Sequence, residues 1–256
     1  MHDISHSPNG LLASLPPADF VTLKPHLETV ELKHEAVLFG TGDPVDRVYL
    51  PHSGVISLVV NLPSGEMIET GMIGRDSLVG GSSALDGKIS LNTAIVQIPG
   101  EASVLPLDRM RAFADSSSAF RTTLIRHEQV ILIQAQQAAA CNATHKVENR
   151  LARWLLRCRD LVGGDNLDLT QEFVSQMLGV QRTSVTIVAQ TLQTAGLIRY
   201  KRGRVHIVDV DGLRDTACDC YHAVKSRSDR LLGSVPSEFR VRPLAARQKN
   251  ASMSGT

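Results

Sequence analysis

Several features are missing from this 256-residue chain, and each absence removes a class of function. No apolar run is long enough to cross a bilayer. The opening "MHDISHSPNG" is polar and has no apolar signal core, so neither export nor a membrane partner is expected. Cysteine is scarce: Cys141, Cys158, Cys218 and Cys220 form no CxxC pair and no Cys/His set with zinc-ligand spacing, so no metal site is expected. This usage fits a reducing cytoplasm. Two cysteines one residue apart rarely close an unstrained disulfide, so Cys218 and Cys220 are read as spare thiols. No His-x-His pair occurs, although barrel enzymes with a catalytic metal need one. "SGVIS" and "GSSAL" are not nucleophile elbows. No enzyme is therefore expected.

Acidic residues are missing from one further place. The formal net charge is only +1, but residues 1–116 carry 7 Lys/Arg against 14 Asp/Glu. Residues 173–208 carry five basic residues (Arg182, Arg199, Lys201, Arg202, Arg204) and no acidic one. A basic, acid-free stretch is a candidate surface for a polyanion; a solvated face is the plainer reading of the same charge.

The first half of the chain reads as short strands. "AVLFG", "RVYLP", "GVISLVVNL", "MIETGMIG", "TAIVQI" and "ASVLPL" are β-branched or alternating, with turn chemistry such as "TGDPVD" and "LPSGEM" between them. This spacing predicts a small antiparallel barrel or sandwich. An opening helix is predicted at "PPADFVTLKPHL", with Pro17 in its first turn. From Ala119 to about Ala143 breakers are few, and Phe120, Leu124, Ile131, Ala135 and Ala138 recur at near-heptad spacing. This pattern fits either a two-helix seam or a single helix packed on the barrel.

"HKVENRLARWLLRCRDL" predicts a second amphipathic helix, which "VGGDN" breaks. Thr170 caps the next helix, Glu172 suits its first turn, and Gly179 ends it. A further helix is predicted from about Gln181 to Thr194, with Val185, Val188 and Leu192 inward. "IRYKRGRVHIV" then reads as a hairpin around Arg202-Gly203. Helix, short turn, helix and basic hairpin is the layout of a winged helix-turn-helix, whose second helix lies in the DNA major groove. Gln181, Arg182, Thr183, Ser184 and Thr186 would meet base edges or phosphate. Arg182 leads, because a guanidinium fork matches guanine O6 and N7. Arg199, Lys201, Arg202 and Arg204 would neutralise phosphates. Helical hairpins that never touch DNA are also common. The hairpin, the charge and the polar start of the second helix together favour DNA.

These residues resemble a known family. "LTQEFVSQMLGVQRTSVTIVAQTLQTAGLIRYKRGRVHIVD" is similar to the DNA-binding domain of the Crp/Fnr bacterial transcription regulators, and "VENRLARWLL" to the helix that opens it. "GDPVDRVYLPHSGVISLVV" and "ETGMIGRDSLVGGSSAL" resemble the family's cyclic-nucleotide-binding-type β-roll, so that the resemblance spans about residues 12–232 in order. It implies an α+β chain: an antiparallel β-roll sensor at 12–116, a dimerisation helix at 117–143, and a winged helix-turn-helix at 144–232; the polar segment 233–256, with two Pro, is separately expected to be a flexible tail. It also implies a homodimer on a near-palindromic operator in double-stranded DNA, a small-molecule effector, and contact with RNA polymerase. It supports the seam reading of Phe120, Leu124, Ile131, Ala135 and Ala138.

The departures from the family pattern are equally informative. The family's cyclic-AMP pocket uses a Gly-Glu-Leu turn, whose Glu holds the ribose, and a later Arg-Ser/Thr-Ala, whose Arg pairs with the phosphate. Here Gly80-Gly81-Ser82 stands at the first and Asn92-Thr93-Ala94 at the second, so both charged partners are missing. Gly80, Gly81, Ser82, Ser83, Asn92 and Thr93 remain effector-pocket candidates by position, but a buried phosphate without a cation is poorly compensated. Cyclic AMP is therefore not expected at the usual place, and the effector is unidentified. The oxygen-sensing branch uses an N-terminal cysteine cluster, and no Cys precedes Cys141, so no iron–sulfur cluster is expected. Haem is not expected either, because His26, His34 and His52 read as surface-loop residues. A signalling module that gates a protein partner instead of DNA is the alternative function.

Overall fold

The computed structural model describes residues 7–233. Beyond Gly233, the tail read from the sequence lies outside the described residues. The chain opens with α1 (Gly10–Ala13) and α2 (Pro17–Leu23), and Pro17 does occupy the first turn of α2. Seven strands follow: β1 (Glu28–Leu32), β2 (Val37–Phe39), β3 (Arg47–Pro51), β4 (Val55–Asn61), β5 (Met67–Ile73), β6 (Thr93–Ile98) and β7 (Gly100–Pro106). A single turn of helix, α3 (Gly81–Ala84), interrupts them between β5 and β6. They pair antiparallel as two sheets, β1-β7-β3 and β2-β6-β4-β5. The predicted strands are all present.

The strand sequences explain how the sheets are buried. A sheet with one wet face alternates apolar and polar residues, whereas β4 and β6 run almost continuously apolar and buried. Ile56, Ala94 and Val96 belong to the roll interior, with Leu32 and Phe39. Val55, Val59, Met72 and Ile95 belong to a second core, shared with the C-terminal domain. The four-stranded sheet therefore has a core on each face.

α4 (Leu107–Ser116) leads into the long α5 (Ser118–Thr144), which spans 27 residues. Ser117 caps α5, its hydroxyl accepting from the Phe120 amide at 3.2 Å. Here the seam reading needs correction. Phe120 and Leu124 are fully buried in the chain's own core, packed with Met110 and Phe113, and the Phe113 and Phe120 rings lie 4.7 Å apart. They cannot reach a second copy. Ile131 packs on the roll interior, and Ala135 and Ala138 are only half-exposed. The outward apolar residues are Ile125 and Leu132, 46% and 56% exposed, followed one heptad later by the exposed Ala139.

The C-terminal head comprises α6 (Val147–Val162), β8 (Asn166–Asp168), α7 (Gln171–Leu178), α8 (Arg182–Thr194), β9 (Ile198–Lys201), β10 (Arg204–Ile207), α9 (Val210–Thr216) and α10 (Cys220–Leu232). α6 is buried on several sides, including Leu151, Trp154, Leu155, Leu156 and Leu161. Trp154 donates its indole N–H to Glu69 Oε1 on β5 at 3.0 Å, and Ser57 on β4 donates to Glu69 Oε2 at 2.6 Å. This bond joins the head to the outer face of the roll.

α10 returns along α5, so that Cys218 and Cys220 meet Cys141 and His145 from the end of α5. Sequence spacing alone did not reveal this grouping. Within it, hydrogen bonding from Cys218 draws Cys141 toward the thiolate.

Burial raises the Glu69 carboxyl to about 7, although bonds from Ser57 and Trp154 and the nearby Arg153 oppose the shift. An acid whose pKa is higher folded than unfolded binds protons preferentially in the native state. Stability therefore falls as pH rises from about 4.5 to about 7. Denaturant titrations across that range should show this slope, and Glu69→Gln, which keeps an acceptor for Trp154, should flatten it.

Candidate nucleic-acid interface

α7 is capped at its start by Thr170, whose hydroxyl accepts from the Phe173 amide at 3.2 Å, and at its end by Gly179 in the left-handed region, φ 60°. The next helix, α8, starts at Arg182 with Gln181 as its cap residue. Gln181 makes no side-chain cap bond, consistent with glutamine being a poor cap. α8 buries Val185, Ala189 and Leu192, while Val188 packs partly against the same core. The opposite face exposes Arg182, Thr183, Thr186 and Ile187; Gln181 is exposed just before it, and Ser184 is half-buried. Thr186 donates to Gln171 on α7 at 2.8 Å, fixing the two helices at that end.

β9 and β10 join through Arg202 (φ 50°) and Gly203 (φ 75°). Positive φ at both central residues belongs to the two-residue turn that matches strand twist, and Gly meets that demand without strain. β8 adds a third strand that the sequence reading missed, giving the order β8-β10-β9. Lys201 lies opposite Arg204, and Arg199 opposite His206; Arg204 and His206 lie opposite Asp168 and Asn166. Arg199, Lys201, Arg204 and His206 are all exposed, while Ile198, Val205 and Ile207 are buried. Like charges directly across a strand pair cost stability, so folding does not account for this cationic face. The face is not free of acid: Arg204 Nε lies 3.0 Å from Asp168 Oδ1, and Arg182 Nη1 lies 3.7 Å from Glu172 Oε2. Both acids flank the acid-free stretch in sequence and fold back beside it.

Ile187, which stands where the resembling family commonly has a second base-reading Arg, was not counted among the candidate contacts. It is 68% exposed on the polar face of α8, one residue beyond Thr186. An apolar side chain there can meet a thymine methyl. Its signal in the sequence was an apolar residue at a helical position that the core does not need.

The effector-pocket candidates are placed as follows. Gly80 takes φ 93° just before α3. A Cβ on Gly81 would lie 2.6 Å from Glu128 Oε1 and 2.7 Å from Leu78, so α5 already fills the space of a side chain there. The nearest charge is a carboxylate, the wrong sign for a phosphate. Ser83 is fully buried, and its carbonyl accepts from Arg111 Nε at 2.9 Å. Ser82 and Asn92 are half-buried, and the Asn92 carbonyl accepts from Ser90 at 2.6 Å. The Thr93 hydroxyl accepts from Asn61 at 2.8 Å and from the Thr41 amide at 3.3 Å. None of the six candidates lines the cavity of about 130 Å³ between roll and head, whose walls include Glu69, Met72, Gln134, Arg153, Trp154 and Arg157. There the buried Nε atoms of Arg153 and Arg157 have no hydrogen-bond partner among the described residues.

Known proteins resemble this arrangement. The cyclic nucleotide-binding domain family matches residues 29–117, and the Crp-like helix-turn-helix domain family matches residues 149–216. The chain is 24% identical over 190 residues to the global nitrogen regulator of Synechococcus elongatus, covering 71% of this chain and 86% of the relative. It is 24% identical over 211 residues to the CRP-like cAMP-activated global transcriptional regulator of Mycobacterium tuberculosis, covering 80% and 94%. Among solved structures, FixK2 from Bradyrhizobium japonicum shares the fold at TM-score 0.65 and 15% identity, over 75% of this chain and 98% of that one.

A cation that contacts only phosphate contributes equally to all sequences. Lys201→Ala should weaken binding to any duplex alike and reduce the slope of log affinity against log salt by about one unit. Salt-series binding to two unrelated duplexes measures both effects.

Proposed function

Because the chain belongs to the Crp/Fnr family of transcription regulators and carries a DNA-binding head, we propose that it works as a homodimer on a near-palindromic operator. The observation that carries this reading is the polar, cationic start of α8 beside a wing whose cations face one way. In this reading Arg182 reads a guanine, Gln181, Thr183, Ser184 and Thr186 contact bases or phosphates, and Ile187 meets a thymine methyl. Arg199, Lys201, Arg202 and Arg204 hold the backbone. The heads engage half-sites one helical turn apart, about 34–36 Å.

Ile125, Leu132 and Ala139 form the proposed seam between two copies of α5. Their seven-residue spacing and exposure support a paired-helix contact. The N-terminal domain does not take cyclic AMP in the usual way. The Glu128 carboxylate beside Gly81 and the engaged Thr93 hydroxyl support this reading.

Selection from random DNA, with and without cyclic AMP, tests the function. A palindrome should be enriched in both arms. Enrichment only with cyclic AMP would overturn the pocket reading, and a chain that recovers no DNA but retains a protein partner would favour a signalling module. Arg182→Ala should weaken operator binding by about 1–3 kcal/mol and relax one base position; unchanged preference would mean a different α8 register on the groove. Leu132→Glu should give monomers by light scattering while the circular dichroism of the chain is retained. Phe120→Ala should instead lower stability by about 3–5 kcal/mol, as a cavity in the chain's own core would.

A further inference from the structure

Cys141 lies in the last turn of α5, and His145 caps that helix four residues on. A separation of four puts both side chains on one helix face. Cys218 lies in the link between α9 and α10, and Cys220 is the first residue of α10. All four ligand-type atoms lie within 4.8 Å of one another. Cys141 Sγ and Cys218 Sγ are 3.5 Å apart, and so are Cys220 Sγ and His145 Nδ1. Zinc bonds of about 2.3 Å to sulfur and 2.0–2.1 Å to nitrogen give tetrahedral edges of about 3.8 Å between sulfurs and about 3.6 Å between sulfur and nitrogen. The observed spacings are close to these edges. They leave room for one ion and not for a polynuclear cluster.

We propose that Cys141, His145, Cys218 and Cys220 form a tetrahedral Cys3His site for a single thiophilic d10 cation of the zinc type. The surroundings fit that occupant. Gln137 Nε2 donates to Cys220 Sγ at 3.1 Å, the kind of outer contact that orients a ligating thiolate. Three thiolates and a neutral imidazole around a divalent ion leave one negative charge. Arg150 and Arg153 supply positive charge beside the cysteines. Three cysteines are buried, and His145 is exposed, which gives the ion a way in. On binding, the thiol protons pass to solvent and no redox partner is needed. The four ligands form a closed set, so the site is structural: it staples the end of α5 and the α5–α6 junction to the link between the head's last two helices.

The test uses the full chain, stripped of metal under reducing conditions and titrated with Co²⁺. One equivalent per chain should produce a thiolate-to-cobalt charge-transfer band with the intense visible bands of a tetrahedral centre, and Zn²⁺ should abolish both. Cys220→Ser should lower the charge-transfer intensity by one thiolate's share. His145 is exposed, so His145→Ala leaves the core intact; as a direct ligand it should cost at least the ~10–100-fold in cobalt affinity that losing an outer-shell partner costs, and shift the visible bands. The proposal is overturned if the full chain gives no such spectrum, if His145→Ala leaves affinity and spectrum unchanged, or if the chain isolated under reducing conditions carries a Cys141–Cys218 disulfide.

Discussion

The architecture depends on α6 packing against two partners within one core, the other helices of the head and the outer face of the four-stranded sheet. The helix opens the head, yet Trp154 and Cys158 reach the outer face of the four-stranded sheet, where Gln97 Nε2 donates to Cys158 Sγ at 3.5 Å and Trp154 bonds Glu69. A helix with one apolar stripe serves one partner. α6 presents Leu151, Leu155 and Leu161 together with Trp154, and also buries Arg150 and Arg159. Arg159 offsets its burial through Asp165, at 2.5 Å. Any change in how the head sits on the roll must move this helix, and with it the indole–carboxylate bond.

Under the proposed function, that arrangement would let an N-terminal ligand and a C-terminal reading helix be coupled without a long relay. Glu69, Arg153 and Arg157 line the cavity between the two parts, and Arg157 bridges to Asp76 Oδ2 at 2.9 Å. The chain from β5 through α6 to α8 is short and packed throughout. Coupling of this kind requires two discrete arrangements of packed elements, and a ligand shifts their balance only by its differential affinity.

Much of this was legible in the sequence because it rests on local chemistry. Thr170, Gly179 and the Arg202-Gly203 turn mark element ends by capping and backbone preference, which act within a few residues. β8 and α3 were missed because three- and four-residue elements carry too little periodicity. Two of the residues read as an α5 seam, Phe120 and Leu124, were misassigned for a different reason. Phe120 and Leu124 follow a heptad pattern equally well whether the partner is a second chain or the chain's own roll, and periodicity does not name the partner. The grouping of Cys141 and His145 with Cys218 and Cys220 depends on α10 returning along α5, a tertiary fact with no local signature. Asp168 escaped notice because it reaches the wing by strand pairing rather than by proximity in sequence.

If this surface reads DNA as proposed, the two carboxylates beside it have a consequence for target search. Arg204 and Arg182 are already attended by Asp168 and Glu172 in the free protein. The chain thus carries tethered counterions of its own, which a phosphate must displace and which, unlike sodium or chloride, do not diffuse away. In that reading a random duplex recovers less from those two arginines than from Lys201, which has no ion pair among the described residues, so loose encounters are shorter-lived. A site that also offers Arg182 a guanine edge compensates for the displaced carboxylate. Under that proposal, residence time would separate an operator from other DNA more sharply than the number of cations alone would give.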